Sequence, residues 1–274
     1  MKSVFTFEMP DNACNSHLHV IDYRYSHNPK STIKEGTLAN YKSVAKMIGI
    51  PRAVFVQAKL YALDNTCLLD SIEEFGIDKS RGIAVLDRHV TDSELEYLHE
   101  RGIRGLRFSL WDPPASVVKF EDVKPLSEKI KHLGWNIQLH MQISQMIEEA
   151  DVIESLGCRL VLDHMGRLDP HLGTTDPNFD FIKKLIDKGN TWIKLCGPYL
   201  NSAEGYPWND ASETACRIAE YAPERVLFGT DYPNTLMDNS PDPIALVEML
   251  ARWIPDADKR RLALVDNPQE VYFN

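Results

Sequence analysis

Short apolar runs alternate with stretches of helical periodicity along the whole chain. Eight runs are predicted strands: Ala13–Ile21, Ala53–Gln57, Gly82–Leu86, Gly105–Leu110, Asn136–Met141, Arg159–Leu162, Thr191–Leu195 and Val226–Gly229. Segments with apolar residues three and four positions apart separate them. These predicted helices include Thr66–Phe75, Glu94–Glu100, Val123–Leu133, Ser144–Ser155, Phe179–Gly189, Ala211–Tyr221 and a final helix after Asp242. Strands that alternate with helices indicate parallel β-α-β units.

Eight such units in 274 residues predict an α/β fold, a (β/α)₈ TIM-type barrel that forms one domain over residues 1–274. Barrels of roughly 250 residues are commonly a single domain. A doubly wound open sheet would give the same local pattern. No Ser/Gly-rich linker, low-complexity tract or block of charge marks a domain boundary.

Polar residues recur where the predicted strands end. In a barrel, the carboxyl ends of all strands meet at one face, which carries the catalytic residues. We therefore expect these side chains to lie together. They are His19, Gln57, Asp87, Arg107, His140, His164 and Asp231.

His17 and His19 are two positions apart on an extended strand, so both side chains point to the same side. The pair could chelate a metal ion, although a pattern this short is explained as well by two hydrogen-bonded histidines. His140, His164 and Asp231 at later strand ends strengthen the functional interpretation. Imidazoles and a carboxylate suit Zn²⁺ or a similar ion, which takes three or four protein ligands and keeps one position for water.

Two of these residues are the strongest catalytic candidates. Asp231 follows the last predicted strand, where a carboxylate can take a proton from water. Its alternative role is a helix N-cap in a turn. His164 is predicted to be catalytic, and its alternative is a structural role in a hydrogen-bonded loop with Asp163 and Gly166.

Four further residues are predicted to bind substrate. Arg107 projects from an apolar run, where an inward guanidinium costs desolvation energy unless it meets an anion or a carbonyl. An ion pair with Asp87 or Asp163 would serve equally. Gln57, Lys59 and Tyr199 follow the second and seventh strands, and Lys59 could instead be solvated on the surface.

Composition restricts the class of partner. A net charge of −10 and a pI near 5.4 argue against a nucleic-acid ligand, so we expect a small-molecule substrate. The chain contains no apolar segment of signal-peptide or membrane-spanning length, which leads us to expect a cytoplasmic protein without membrane contact. No Gly-x-Ser-x-Gly elbow, P-loop or dinucleotide fingerprint offers another chemistry. The oligomeric state is not predicted.

The motifs His17–His19, Leu162–Arg167 and Gly229–Pro233 together resemble the amidohydrolase superfamily, in its amidohydrolase-2 branch of lactone-processing enzymes. Within the branch, the chain resembles the 2-pyrone-4,6-dicarboxylate hydrolases and the D-galactarolactone isomerases. The resemblance implies a TIM barrel, water attack on a lactone carbonyl, and Asp231 as general base. It also implies that His17, His19 and His164 surround that carbonyl, and that Arg107 binds a substrate carboxylate.

The same resemblance leaves other activities open. The main prediction is a lactonase of carbohydrate or aromatic catabolism. The alternatives are a lactone isomerase, a decarboxylase of the branch, and a barrel that binds a metabolite without catalysis. The pyrone dicarboxylate hydrolases carry arginines where this chain has Pro113 and Leu200. We therefore expect a less charged lactone, of the sugar-acid or muconate type, as substrate.

Besides Pro113 and Leu200, a third difference from the pyrone dicarboxylate hydrolases concerns metal binding. The pyrone dicarboxylate hydrolases have a tyrosine where this chain has His140 and work without a metal ion. Here the superfamily's set for one metal ion is complete, which implies His17, His19, His140 and Asp231 as ligands of a Zn²⁺-type ion. Metal-independent catalysis, in which the histidines serve as hydrogen-bond donors, is the alternative.

Overall fold

The computed structural model describes residues 4–27, 33–234 and 241–274. Eight parallel strands alternate with helices, as the hydrophobic pattern predicts, and most strand bounds lie within three residues of the predicted ones. The first strand is shorter than predicted, since the chain leaves the sheet after Leu18. The strands are β1 Cys14–Leu18, β2 Arg52–Val56, β3 Ser80–Ala84, β4 Ile103–Ser109, β5 Asn136–His140, β6 Arg159–Leu162, β7 Thr191–Leu195 and β8 Val226–Phe228.

Ten α-helices lie in the described residues. They are α1 Leu38–Ile48, α2 Thr66–Phe75, α3 Asp92–Glu100, α4 Val123–Ile130, α5 Ile143–Glu148, α6 Ala150–Ser155, α7 Phe179–Asp187, α8 Asn209–Tyr221, α9 Pro243–Trp253 and α10 Ala257–Arg261. The predicted helix Ser144–Ser155 is two short helices, because the chain leaves helical geometry at Glu149. None of the described helices is both long and apolar enough to cross a membrane.

The sheet runs from β1 to β8 in chain order, and main-chain bonds beyond β8 close it onto β1. The Asp231 N–H donates to the His17 carbonyl at 2.9 Å, and the His19 N–H donates to the Tyr232 carbonyl at 2.7 Å. Where the chain after β8 meets β1, a Cβ on Gly229 would lie 2.5 Å from the Cβ of His17. Only glycine allows this approach, which completes a (β/α)₈ TIM barrel.

Alternate residues of each strand point into the barrel or out toward the helices. Leu18 packs in the outer layer, which directs its neighbours His17 and His19 inward as predicted. A register shift between Asn15 and Leu18 moves the inward positions of β1 from Cys14 to the two histidines.

The lower part of the barrel interior, toward the amino ends of the strands, is apolar. We call this set of residues the apolar plug: Cys14, Val54, Val56, Ile83, Val161, Trp192, Leu227, Val271 and Tyr272. Polar side chains occupy the interior above it, toward the carboxyl ends of the strands.

Candidate active site

A cavity of about 140 Å³ opens at the carboxyl ends of the strands. Six of the predicted site residues line it: His19, Lys59, Arg107, His140, His164 and Asp231. Ser109, Trp111 and Leu200 line it as well. The structure therefore brings six residues of the predicted site together around one cavity at the carboxyl ends of the strands.

Asp231 lies where several groups meet. Its Oδ1 is 3.4 Å from His17 Nε2 and 3.5 Å from His19 Nε2, and its Oδ2 accepts a hydrogen bond from the Tyr199 hydroxyl. Burial favours the neutral acid, but His164, His19 and His17 outweigh it and hold the pKa of Asp231 below its ordinary value. Asp231 is therefore an ionised carboxylate that can accept a proton at neutral pH.

The Nδ1 atoms of His17 and His19 have different neighbours. His19 Nδ1 donates to the Val56 carbonyl at 2.8 Å, and its Nε2 faces Asp231. His17 Nδ1 lies 3.1 Å from Lys194 Nζ and 3.3 Å from Asp163 Oδ1. Burial and the Lys194 ammonium hold the pKa of His17 well below 6.5, so its imidazole is neutral.

Asp163 is the centre of a buried polar network beneath the cavity. Its Oδ2 lies 3.2 Å from Arg107 Nε and accepts from Gln138 Nε2 at 3.1 Å, while its Oδ1 lies 3.5 Å from Lys194 Nζ. Burial would raise the pKa of Asp163, but His17 and Lys194 outweigh it and keep the group ionised. Of the two partners considered for Arg107, Asp163 is the observed one, and Arg107 also lines the cavity.

His140 presents one nitrogen to Arg107 and the other to the cavity side. Its Nδ1 lies 3.2 Å from Ser109 Oγ and 3.4 Å from Arg107 Nη2. Because a guanidinium only donates, Nδ1 accepts, and the neutral ring carries its proton on Nε2. That Nε2 is buried and has no hydrogen-bond partner among the described residues. Burial and the nearby His164 hold the pKa of His140 well below 6.5.

His164 occupies a strained turn directly after β6. His164, Met165 and Arg167 have positive φ angles of 50°, 56° and 49°, a region that side chains rarely adopt and that often marks functional sites. Its Nδ1 lies 3.2 Å from Cys196 Sγ, and burial lowers the pKa of His164 to about 4. A neutral imidazole is thus held against the cavity wall.

Three of the four predicted metal ligands converge. Ligand atoms of His17, His19 and Asp231 lie within 4.8 Å of one another, and His17, Asp163 and His164 form a second such group in the described chain. His140 belongs to neither group. His17 Nε2 is buried with no hydrogen-bond partner in the described residues, and Val56 orients His19 through its other nitrogen. In type, burial and convergence, these three residues fit a divalent ion such as Zn²⁺.

The remaining predicted residues lie at the margins of the site. Lys59 lines the cavity and is exposed, and its ammonium has no hydrogen-bond or ion-pair partner among the described residues. Tyr199 reaches the site through its bond to Asp231. Gln57 lines a small adjoining cavity and donates to the Asp64 carbonyl at 2.7 Å, so part of its amide holds the loop after β2.

Three residues of the site were not predicted. Gln138 and Lys194 are inward residues of β5 and β7, and Cys196 follows β7 against His164. A signal for Lys194 exists in the sequence, because it is the only charged residue in an otherwise apolar run, on the same side as Trp192. Its role depends on partners from three other strands, and the sequence does not show these.

Comparison with known proteins gives consistent matches over nearly the whole chain. The amidohydrolase family model matches residues 14–273. A 2-pyrone-4,6-dicarboxylate hydrolase of Comamonas testosteroni is 30% identical over 281 residues, which cover 97% of this chain and 92% of that protein. A 4-sulfomuconolactone hydrolase of Rhizobium radiobacter is 29% identical and covers 97% and 92%. A D-galactarolactone isomerase of Agrobacterium fabrum is 28% identical and covers 85% and 80%.

A solved structure shows the same architecture. The crystal structure of an Agrobacterium tumefaciens protein in its apo form superposes with a TM-score of 0.87 at 25% identity, and the match covers 97% of both chains. The family model extends from β1 to the last residues of the chain and includes every strand-end residue of the site. The chain belongs to the amidohydrolase family of enzymes.

Proposed function

We propose that this protein hydrolyses a lactone, with Asp231 as the general base. One observation carries the proposal: an ionised, buried carboxylate lies between imidazoles in a cavity that also contains an arginine and a lysine. The similarity of the chain to a 2-pyrone-4,6-dicarboxylate hydrolase and to a 4-sulfomuconolactone hydrolase supports the same reaction class.

Asp231 is oriented for proton transfer. The Tyr199 hydroxyl occupies Oδ2, which leaves Oδ1 toward the histidines and the cavity. Water oxygen attacks the ring carbonyl carbon while its proton passes to Asp231, and the carbonyl oxygen takes the developing negative charge. When the tetrahedral intermediate collapses, the ring carbon–oxygen bond breaks, and Asp231 returns the proton to the leaving alkoxide. The product is a hydroxy acid.

The imidazoles stabilise the charge that develops on the carbonyl oxygen. His17, His19 and His164 surround Asp231, and His17 and His164 have ring centroids 4.9 Å apart. N–H groups fixed toward that oxygen stabilise the transition state more than the ground state. A divalent ion held by His17, His19 and Asp231 would supply Lewis-acid polarisation of the carbonyl and of the attacking water.

The cavity wall favours a lactone with one anionic substituent. Arg107 and Lys59 offer two cationic groups, and His140 adds an Nε2 donor beside them. Leu200 contributes an apolar side chain to the lining, and Pro113 is exposed and does not line the cavity. Because Arg107 is already paired with Asp163, Lys59 is the cation of the lining that has no partner among the described residues, so a second carboxylate would lack a charge-assisted contact worth about 1.5–3 kcal/mol. We infer a monocarboxylate lactone of the sugar-acid or muconate type as substrate.

Lactone isomerisation is the second candidate reaction, because the chain is similar to a D-galactarolactone isomerase. In this reaction a hydroxyl of the substrate replaces water as the nucleophile, and Asp231 moves the proton between two oxygens of the same molecule. The same residues would serve both reactions.

A pH-indicator assay of the purified protein against a panel of lactones tests the proposal. We expect net proton release with monocarboxylate sugar-acid or muconate-type lactones, and slower release with a pyrone dicarboxylate. Turnover without net acid release would indicate the isomerase. Binding of lactones without any turnover would overturn both reactions.

A further inference from the structure

A second cavity, of about 510 Å³, opens beside the candidate active site, and the proposed reaction does not use it. We call it the side cavity. Its lining comes from the segments that follow β5, β6 and β7, so it lies at the same face of the barrel. Gln142 of the side cavity comes two positions after His140 of the active-site cavity, and Arg167 comes three positions after His164. Leu200 lines both cavities, which are therefore neighbours.

The active-site cavity alone is small for a substrate. Small-molecule sites usually have volumes of roughly 300–1,000 Å³. The active-site cavity, at about 140 Å³, falls below this range, and the side cavity lies within it. A lactone ring held at Asp231 therefore has little room for a substituent unless the substituent passes Leu200 and enters the side cavity.

The side cavity contains hydrogen-bonding groups that the described part of the protein leaves unused. Arg167 donates from Nη1 to the Leu200 carbonyl at 3.0 Å and has no carboxylate partner among the described residues. The side-chain amide of Asn178 and the hydroxyl of Ser144 also lack a hydrogen-bond partner there. The guanidinium carbon of Arg167 lies 5.6 Å from the ring centroid of Trp111, which lines the active-site cavity. Arg167 is thus held at the boundary between the two cavities.

The same lining offers an acceptor. Asp169 Oδ1 accepts the His171 N–H at 2.8 Å, and Oδ2 has no partner among the residues that the structure describes. Asp176 fixes the loop instead, since its Oδ1 accepts the Asn178 N–H at 2.8 Å and its Oδ2 accepts the Asp169 N–H at 3.4 Å. The loop after β6 is ordered by these bonds, and one carboxylate oxygen of Asp169 remains for a ligand.

This combination of groups favours a hydroxylated ligand. A hydroxyl both donates and accepts, so it can bind a guanidinium, a carboxylate or an amide. An alkyl chain would remove these groups from water without replacing their hydrogen bonds, which is costly. An anionic chain would gain Arg167 but would also face the carboxylates of Asp169 and Asp176.

We propose that the side cavity binds a hydroxylated exocyclic chain of the lactone, which passes Leu200 while the ring lies at Asp231. The inference rests on the proposed function and narrows its substrate class to lactones derived from sugars, in preference to muconate-type lactones. Leu200 and the polar groups of the side cavity then determine specificity without touching the reacting atoms.

Binding of two unreactive analogues to the wild-type protein tests the proposal. Lactams keep the ring carbonyl of a lactone and are far less reactive toward water. The 1,4-lactam of gluconic acid has a hydroxylated chain, and the matched four-carbon lactam has the same ring hydroxyls and no chain. We expect the chain to tighten binding about tenfold, the effect of one or two net hydrogen bonds. Isothermal titration calorimetry gives both dissociation constants. Neither lactam carries a carboxylate, so the comparison isolates the chain.

Three substitutions locate the contact. Leu172 is exposed and lines only the side cavity of the two, so Leu172→Trp should fill that space and remove the preference, while the chainless lactam binds as before. Ile147→Trp is the matched control, because Ile147 is similarly exposed and lines neither cavity, and it should keep the preference. Asn178→Leu keeps the size of the side chain and removes its hydrogen bonds, so the preference should fall about threefold.

The outcomes separate clearly. Equal binding of the two lactams, no binding of the longer one, or a preference that survives Leu172→Trp would overturn the proposal. Tighter binding of an analogue with an ethyl chain in place of the hydroxylated chain would overturn the assignment to hydroxyl groups. None of these readouts requires turnover, so the side cavity can be confirmed in a protein that does not hydrolyse lactones. Lactone hydrolysis together with equal binding of the two lactams would retain the proposed function and exclude the role of the side cavity.

Discussion

The two halves of the barrel interior are built from the same strands and behave differently. The apolar plug fills the lower half with side chains that interact mainly through packing. Above it, the side chains of His17, Gln138, Asp163, Lys194 and Asp231 are almost as deeply buried, but each depends on a partner of opposite charge or matching hydrogen-bonding character. The lower half supplies rigidity, and the upper half holds charges and neutral imidazoles in fixed orientation for chemistry.

The largest expected effect is on catalysis in the upper half. Asp231→Asn removes the proton acceptor and keeps the shape of the side chain, so we expect kcat to fall about 10³-fold with the fold retained. Lactone turnover and circular dichroism measure the two properties. Asp87→Asn is the control, because Asp87 also follows a strand but does not line the cavity. Near-normal activity of Asp231→Asn would exclude the assigned base.

The next effect is on stability and also belongs to the upper half. Asp163→Asn leaves the Arg107 and Lys194 cations without their carboxylate, and breaking a buried pair costs about 3–5 kcal/mol. Urea unfolding gives the free energy. The exposed Asp180→Asn removes a partner of Lys183 and should change stability by less than about 0.5 kcal/mol. Equal losses in the two variants would mean that the network contributes no more than a surface pair.

The pH dependence of stability distinguishes the two halves. Burial lowers the pKa values of His17, His140 and His164, the last to about 4. Below about pH 6.5 the unfolded chain binds protons that the folded protein does not, so stability is full above that pH and declines as the pH falls toward 4. For His164 alone, the difference between 6.5 and about 4 corresponds to a loss on the order of 3 kcal/mol.

The apolar plug should add nothing to that pH dependence, because burial raises the pKa values of its two titratable groups, Cys14 to about 11 and Tyr272 well above 10. His164→Asn should therefore reduce the slope of unfolding free energy against pH, and the exposed His132→Asn should leave it unchanged. A flat profile between pH 7 and 4.5 would show that the histidines are not held neutral.

The smallest effect comes from the lower half. Ile83→Val removes one methylene from the apolar plug and should cost about 1 kcal/mol of stability. Because no residue of the plug lines the cavity, kcat/KM should stay at the wild-type value. A change in kcat/KM without a change in stability would show that the two halves are coupled.

The sequence predicts the lower half better than the upper half. Periodicity alone identifies the eight strands, since inward and outward residues of a barrel are both apolar. It also places His17, His19, His164 and Asp231 at one face, because strand ends of a parallel barrel converge. It does not single out α1, whose ends are set locally by the Thr37 capping box and by Gly49 in left-handed geometry.

The contacts of the upper half are the part that the sequence does not specify. The sequence offers Arg107 either Asp87 or Asp163 as an ion-pair partner, and only the barrel geometry brings Asp163 within 3.2 Å. Lys194 contacts residues 56 and 177 positions away in the chain. Such pairs depend on the register of strands, which no local pattern encodes.

Isotope incorporation from H₂¹⁸O tests the central claim most directly. If Asp231 activates water against a lactone carbonyl, each product molecule formed from a monocarboxylate lactone should carry one ¹⁸O in its new carboxylate. Mass spectrometry of the product detects this, and the Asp231→Asn protein should give none above the uncatalysed background. Complete conversion of the lactone by the wild-type protein without ¹⁸O in the product would contradict hydrolysis and leave intramolecular isomerisation as the reaction.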